Sequence, residues 1–287
     1  MIAQQIVNGL IVGSTYSLIA IGYTLIFGVL RIINMAHGQI FIFGSFTGLA
    51  FALNTGLPIL VAFPVSILVS GGLGLLLEWT ALRPLRKKNV PHLAPLISTI
   101  GFSIVVEEAT RLLFGADSRS VPDFGGTTFH LMGIQLRMVD LMIFFTSLLL
   151  MFFLHLWISR TKMGMALRAT AENIETAEIL GINTNTVILL TVLLASSLGG
   201  IAGMMIGLAY SALIPTMGLT LGFKGLAVLI FGGIGSLPGA MVSGLLLGMA
   251  EVISVAYGSS TWRDAVAFGM IILILFLRPQ GIFGKGN

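Results

Sequence analysis

RTKMGMALRATAENIETAEILGIN, from Arg160 to Asn183, is the one long charged passage with a helical period in a chain otherwise suited to lipid. Met163, Leu167, Ala171, Ile174, Ala177 and Gly181 recur three or four residues apart, which lines one side of a helix with small and apolar groups. Arg168, Glu172 and Glu175 fall on the other side, Arg168 and Glu172 sharing a face. The spacing predicts an amphipathic helix over about 163–181, in or under the membrane surface, whose apolar side a partner grips. The plainer alternative is a solvated helical loop. Gly181 favours the partner, because glycine both stops a helix and allows close backbone approach.

Outward from this passage, composition settles the class. Hydrophobic residues make up 56% of the 287 and charged ones 9%, with mean hydropathy +1.03; soluble domains carry about 25% charge. A soluble globule is excluded. At about 20 residues per membrane helix there is room for roughly eight to ten and little else, which predicts an all-α, polytopic transmembrane bundle forming one domain over 1–287. With no cysteine in the sequence there is no disulfide framework and no thiolate ligand or nucleophile. His37, His92, His130 and His155 are scattered, without carboxylates at ligand spacing, so no metal is expected. The start lacks a basic region and reads as entry to a first span. The net charge of +4 comes from loops and bears on topology, not on nucleic acid.

Expected spans are Ile6–Leu30, a short apolar run ending near Leu53, Pro58–Trp79, His92–Phe114, Met138–Ile158, Thr186–Tyr210, Gly222–Ile234, Pro238–Tyr257 and Ala265–Leu277, about eight or nine in all, some broken or re-entrant. Gly9, Gly13 and Ser17 form a small-residue line for close helix packing. Lys and Arg gather at 83–88, at 160–168 and in the tail (Arg278, Lys285), which places these on the cytoplasmic side. The polar loop Gly115–Arg137, the turn near Ser259 and the N-terminus then face outward.

Two passages interrupt the lipid-like pattern. Asn34, His37, Gly38 and Gln39 bring polar groups into one run; Gly232, Gly233, Gly235, Ser236 and Gly239, with Pro238, break another. Non-helical backbone at membrane depth survives only where protein or a watery cavity covers it. Paired Gly/Pro breaks point to a transport path or its gate. The alternatives are an interfacial turn for the first, with Asn34 capping a helix, and a tight cytoplasmic hairpin for the second. Glu107 and Glu108 lie within one turn of Arg111 and read as a structural ion pair. Glu251 has Arg263 as a candidate partner and no assigned role. Ionisable residues otherwise sit near span ends, which argues against a self-contained ion-coupled carrier. No GxxxxGK[ST] phosphate loop, GxSxG or HExxH occurs, so neither ATP binding of that kind nor catalysis is expected.

Gly13-Ser14-Thr15-Tyr16-Ser17-Leu18-Ile19-Ala20-Ile21-Gly22-Tyr23-Thr24 with Ile33-Asn34-Met35-Ala36-His37-Gly38, and Gly225-Leu226-Ala227-Val228-Leu229-Ile230-Phe231-Gly232-Gly233-Ile234-Gly235-Ser236 with Pro238-Gly239-Ala240, resemble the two signatures of permeases of branched-chain amino-acid ABC importers. The likeness spans nearly the whole chain and is nearest to the H-type permease subunit. It implies a bacterial inner-membrane heterodimer with a related second permease, two cytoplasmic ATPase subunits that hold the ATP, a periplasmic substrate-binding protein, and no cofactor in this chain. It also implies that the helix carrying Met163, Leu167, Arg168, Glu172, Ala177 and Gly181 is the one that sits in an ATPase groove. Urea and short-amide permeases share these strings and stand as the alternative cargo.

Overall fold

The computed structural model describes residues 2–88, 91, 93–122, 128–131, 134–278 and 280–284; His92, at an expected span start, and Lys285 in the tail lie outside them. Twelve α-helices are described: α1 (Ile2–Leu30), α2 (His37–Thr55), α3 (Ala62–Leu77), α4 (Arg83–Lys87), α5 (Leu93–Phe114), α6 (Met138–Arg160), α7 (Lys162–Glu172), α8 (Ile174–Ile179), α9 (Thr184–Tyr210), α10 (Met217–Gly232), α11 (Leu237–Tyr257) and α12 (Arg263–Leu277). Short strands β1 (Arg119–Ser120), β2 (Thr128–Leu131), β3 (Ile134–Arg137) and β4 (Ala212–Leu213) pair β1 with β4 and β2 with β3, so part of the expected outward loop is β-structure. Six helical stretches are long and apolar enough to cross a membrane: Ile2–Leu30, Ile59–Arg86, Leu93–Phe114, Met138–Arg160, Thr184–Tyr210 and Leu237–Tyr257.

α1 and α9 form the axis, and they run in opposite directions. At its start α1 touches β3, where the Gln4 side chain donates to the Gln135 carbonyl at 2.9 Å; at its end Arg31 donates to the Ala171 carbonyl at 3.0 Å, beside α7. α9 starts just after α8 and ends where β4 meets β1. Each long helix closes on a non-glycine residue in the left-handed region, Arg31 at φ 55° and Ser211 at φ 54°. After each, six residues outside any helix precede the next one, 31–36 before α2 and 211–216, which include β4, before α10.

Each axis helix then crosses one partner through small residues. In the first crossing a Cβ on Gly9 would lie 2.6 Å from the Met249 backbone and one on Gly13 2.7 Å from Leu245, while Ser17 Oγ donates to the Met241 carbonyl at 2.7 Å, so α1 and α11 touch backbone to backbone. The expected Gly9–Gly13–Ser17 line is this contact. In the second, Gly200 of α9 approaches the Ser66 carbonyl of α3 and Ser66 Oγ donates to the Gly200 carbonyl at 2.9 Å. The units α1–α2–α3 and α9–α10–α11 are thus one design repeated with inverted direction.

The basic segments share one side. Arg86 donates to Asn185 at the start of α9, and Ser236, beside the tail, lines one cavity with Arg168. That side is cytoplasmic by the positive-inside rule. On it α3 ends in a π-helical turn, Glu78–Leu82, which carries Glu78 into the protein, where it pairs with Arg86 at 2.8 Å.

Two measurements check this architecture. Single cysteines introduced into the cysteine-free chain at Lys88 and Glu175 should be labelled from the cytoplasm and one at Asp117 from outside; Lys88 and Asp117 on one side would refute the assignment of α5 as a span. Gly38→Ala should lower stability by about 1–3 kcal/mol, because its Cβ would strike the Gly218 backbone. Gly72→Ala, whose Cβ meets nothing within 4 Å, should raise it by about 0.5–1 kcal/mol in thermal or denaturant unfolding.

Candidate functional site

The two secondary helices begin against each other in the middle of the bundle. Gly38, second residue of α2, lies on Gly218, second residue of α10: a Cβ on Gly38 would collide with the Gly218 carbonyl, and one on Gly218 would lie 2.8 Å from the Gly38 carbonyl. His37 fills the space between Gly22 and Gly199 and meets the Tyr23 ring edge-on at 4.7 Å. Gly22 is eight residues before the end of α1, so this junction sits about 12 Å in from the cytoplasmic ends.

A helix start at such depth must satisfy its free amides within the protein. Thr99 Oγ1 accepts from the Met35 amide at 3.2 Å and Asn34 Oδ1 from the Ala36 amide at 3.0 Å. Asn34 is not the helix cap of the interfacial-turn alternative: the N-cap of α2 is Ala36, without a side-chain cap bond, and Asn34 turns the chain just before it; Asn34 is 1% exposed and His37 0%. Before α10, Pro215 has no amide to satisfy, and the Met217 amide donates to the Ile214 carbonyl at 3.0 Å. Gln39 donates to Glu107 at 2.8 Å, and Glu107 and Glu108 both pair with Arg111, at 2.6 and 2.8 Å, as the spacing predicted. Asn34 Nδ2, both His37 ring nitrogens and Gln39 Oε1 are buried with no hydrogen-bond partner among the described residues.

The second expected break does not join this junction. Gly232, Gly233, Gly235 and Ser236 form the cytoplasmic turn between α10 and α11, Ser236 accepting from the Gly239 amide at 3.1 Å. The tail seals it, with the amides of Ile282 and Phe283 donating to the carbonyls of Phe231 and Gly232 at 3.0 and 3.1 Å. Gly233 and Gly235 have φ of 100° and 83°, which explains glycine there. The counterpart of Asn34–Gly38 is instead Ile214–Gly218, on the other side of α10.

A charge cluster lies nearer the outward face. Lys224 of α10 is 3% exposed and Glu251 of α11 is 1%; they pair at 3.0 Å. Lys224 also meets Asp264 at 2.9 Å and Glu251 meets Arg263 at 3.2 Å, both from the start of α12. The Tyr16 hydroxyl donates to Glu251 at 3.1 Å and stands 3.2 Å from the Tyr210 hydroxyl. This corrects the expectation that ionisable groups keep to span ends. A span starting at Gly222 leaves Lys224 near its edge, but α10 begins at Met217 and carries it inside. The expected Glu251–Arg263 pair is present. Among the described residues, no three His, Asp or Glu gather as metal ligands.

On the outward face a cavity of about 750 Å³ is lined by Gln4, Gln5, Asn8, Val12, Gln135, Ala209 and the ion-paired Arg137 and Asp140. On the cytoplasmic face the amphipathic helix is two helices, α7 and α8, bent at Asn173, whose side chain caps α8 by accepting from the Thr176 amide at 2.9 Å. Its apolar side is covered by its own chain: Leu167 and Ala177 are buried, and Met163 and Ala171 pack on the bundle core. Arg168 and Glu172 are exposed. Gly181 has φ 83° and open space around its Cβ position. It ends the helix in the left-handed conformation, with the Ile182 amide donating to the Ala177 carbonyl at 3.0 Å, and makes no close contact. The large apolar residues left exposed on the elbow are Met165, Ile179 and Leu180, at 61%, 85% and 73%.

A multi-pass bundle with inverted halves, helices that start at mid-depth and an exposed cytoplasmic elbow defines a membrane permease. Residues 5–275 match the family of the branched-chain amino acid transport system permease component, and the chain belongs to it. It is 40% identical to the high-affinity branched-chain amino acid transport system permease protein BraD of Pseudomonas aeruginosa, over 98% of this chain and 95% of that one. With the corresponding protein LivH of Escherichia coli it shares 36% identity, over 98% and 95%. Among solved structures, PsaBC from Streptococcus pneumoniae in complex with Fab has the same fold at a TM-score of 0.51 and 13% identity, covering 98% of this chain and 93% of that one.

The cluster makes a stability prediction. Lys224→Met leaves the buried Glu251 with Arg263 as its remaining partner and should cost about 1–3 kcal/mol, whereas Lys224→Met with Glu251→Met should cost less. Thermal unfolding of the purified variants checks this; equal losses would show that the two charges are not coupled.

Proposed function

We propose that this chain is the membrane-spanning subunit of an ATP-driven importer that carries branched-chain or other hydrophobic amino acids into the cytoplasm across the bacterial inner membrane. The observation that carries this is membership of a branched-chain permease family over 271 residues, 5–275, on a bundle built around two mid-depth helix starts. The two curated relatives described above are named for branched-chain amino acid transport, which favours that cargo over urea or short amides. With α2, α10 and α12 counted as partial or broken crossings beside the six full ones, the chain crosses nine times. A related second permease, two cytoplasmic ATPase subunits holding the ATP, and a periplasmic binding protein complete the machine. This chain supplies neither a cofactor nor a phosphate loop.

The junction of α2 and α10 is the gate in this reading. A buried polar atom without a partner costs about 1–3 kcal/mol, so the open atoms of Asn34, His37 and Gln39 do not serve stability and suit a polar passenger. A polar backbone passing between two helix starts needs such groups. On the cytoplasmic side, Leu167 and Arg168 line a cavity of about 290 Å³ together with Gly235, Ser236 and Pro238. A push on the α7–α8 elbow therefore reaches the α10–α11 turn directly, which gives Gly232, Gly233, Gly235 and Ser236 a relay role in place of a path role. The ATPase contact falls on Ile179 and Leu180, outside the covered apolar face.

The test is ATP-dependent leucine uptake by vesicles holding the complete complex. Leu180→Asp should leave the chain inserted and folded. Losing a buried leucine at an interface removes about 1.5–3 kcal/mol, or about tenfold or more in affinity, so ATPase co-purification and uptake should fall together. Normal co-purification with normal uptake would remove the elbow from the coupling scheme. Absence of leucine uptake by the wild-type complex would remove the cargo.

A further inference from the structure

We propose that the Lys224–Glu251 pair reads the backbone end of the cargo, Lys224 taking the α-carboxylate and Glu251 the α-ammonium of an amino acid descending from the outward cavity. This rests on the amino-acid cargo proposed above. The route is laid out along α1: Asn8, Val12 and Tyr16 are four residues apart on one face, and the first two line the cavity. Tyr16 lies about 6 Å deeper than Val12. Ala209 lines the same cavity, and the next residue, Tyr210, brings its hydroxyl 3.2 Å from that of Tyr16. The Tyr16 hydroxyl reaches Glu251 at 3.1 Å, and Glu251 reaches Lys224 at 3.0 Å; because Gly9 meets Met249 and Gly13 meets Leu245, the backbone of Glu251 stands level with the cavity-lining part of α1.

The chemistry of the cluster suits a zwitterion. Lys224 is the only Lys or Arg among the buried residues described, and the four groups Lys224, Arg263, Glu251 and Asp264 sum to zero charge. An amino acid also sums to zero, so exchanging one ion pair for two leaves the net charge in the low-dielectric interior unchanged. Opening the pair strands neither side: Asp264, 54% exposed, still holds Lys224, and Arg263, 38% exposed, still holds Glu251. Stability does not explain the pair, since apolar residues of similar volume often replace a buried ion pair without loss. Ionisable groups inside a membrane are functional by default. A cargo lacking one of the two charges opens the pair without repaying it, so amines, acids and amides are rejected at this point.

The test uses the complete complex in liposomes, with initial uptake of leucine and of leucinamide, which lacks the carboxylate, measured side by side. The binding protein is the same throughout, so its own preference cancels when variants are compared. Lys224→Met with Glu251→Met, which removes both buried charges and leaves the part-exposed Arg263 and Asp264, should lower the leucine-to-leucinamide ratio at least about tenfold, while Lys224→Arg keeps it near the wild-type value. Glu251→Gln, nearly isosteric, reads the other end: isocaproate, leucine without its amine, should gain on leucine by about tenfold. A merely structural role slows all cargoes in the same proportion. Unchanged ratios, whether read in the double variant or in Glu251→Gln, overturn the inference and leave the amino-acid cargo standing; wild-type vesicles that move no leucine overturn both.

Discussion

The close approach of Gly38 to Gly218 is the constraint on which the rest of the bundle depends. Lipid offers no hydrogen bonds to unfinished backbone, so a helix that begins inside the membrane must do so against protein. Two such starts meet here, and neither position has room for a side chain. With the starts fixed, α1 and α9 must enclose them from either side, and both do so through small residues that bring backbones together: Gly9 and Gly13 onto α11, Gly200 onto α3. The left-handed ends at Arg31 and Ser211 turn the chain back toward the junction at matching places.

Around that junction the polar groups divide into two sets. Asn34, His37 and Gln39 sit at the helix starts with atoms unpartnered, while Tyr16, Lys224, Glu251, Arg263 and Asp264 form a satisfied, neutral cluster closer to the outward face. The first set is the one assigned to the gate in the proposed function. The second has partners already and can exchange them. The α7–α8 elbow lies on the opposite face, tied to the end of α1 through Arg31 and adjoining the α10–α11 turn through one cavity. Movement of the elbow therefore has a short mechanical route to the helix whose other end abuts Gly38.

Much of this is written in residue spacing. The Gly9–Gly13–Ser17 line, the Glu107–Glu108–Arg111 pairing, the long spans and the polarity of Asn34–Gln39 are each local patterns with one physical meaning. What spacing does not carry is ownership and depth. The apolar face of Met163, Leu167, Ala171 and Ala177 is real, yet periodicity does not say whether a partner or the chain itself covers it, and the chain does. Asn173 carried a usable signal, a capping residue in mid-helix, that the sustained apolar period masked. The gap after Tyr210 is legible in the sequence; what spacing does not show is that α10 already begins at Met217 and not at Gly222. The conspicuous glycines at 232–239 drew the reading to a turn instead. Lys224 follows from the start of α10: a span starting at Gly222 leaves it at an edge, whereas a helix starting at Met217 buries it.

The most direct check is a cryo-EM map of the complete complex without substrate or nucleotide, at a resolution that shows backbone carbonyls. The expected density ends α9 near Tyr210, begins α10 at Met217 within the membrane, and sets Gly218 against Gly38 with Lys224 in contact with Glu251. A continuous helix through 205–225, or a Gly38 facing lipid or another subunit with Gly218 elsewhere, would contradict the junction and the gate built on it.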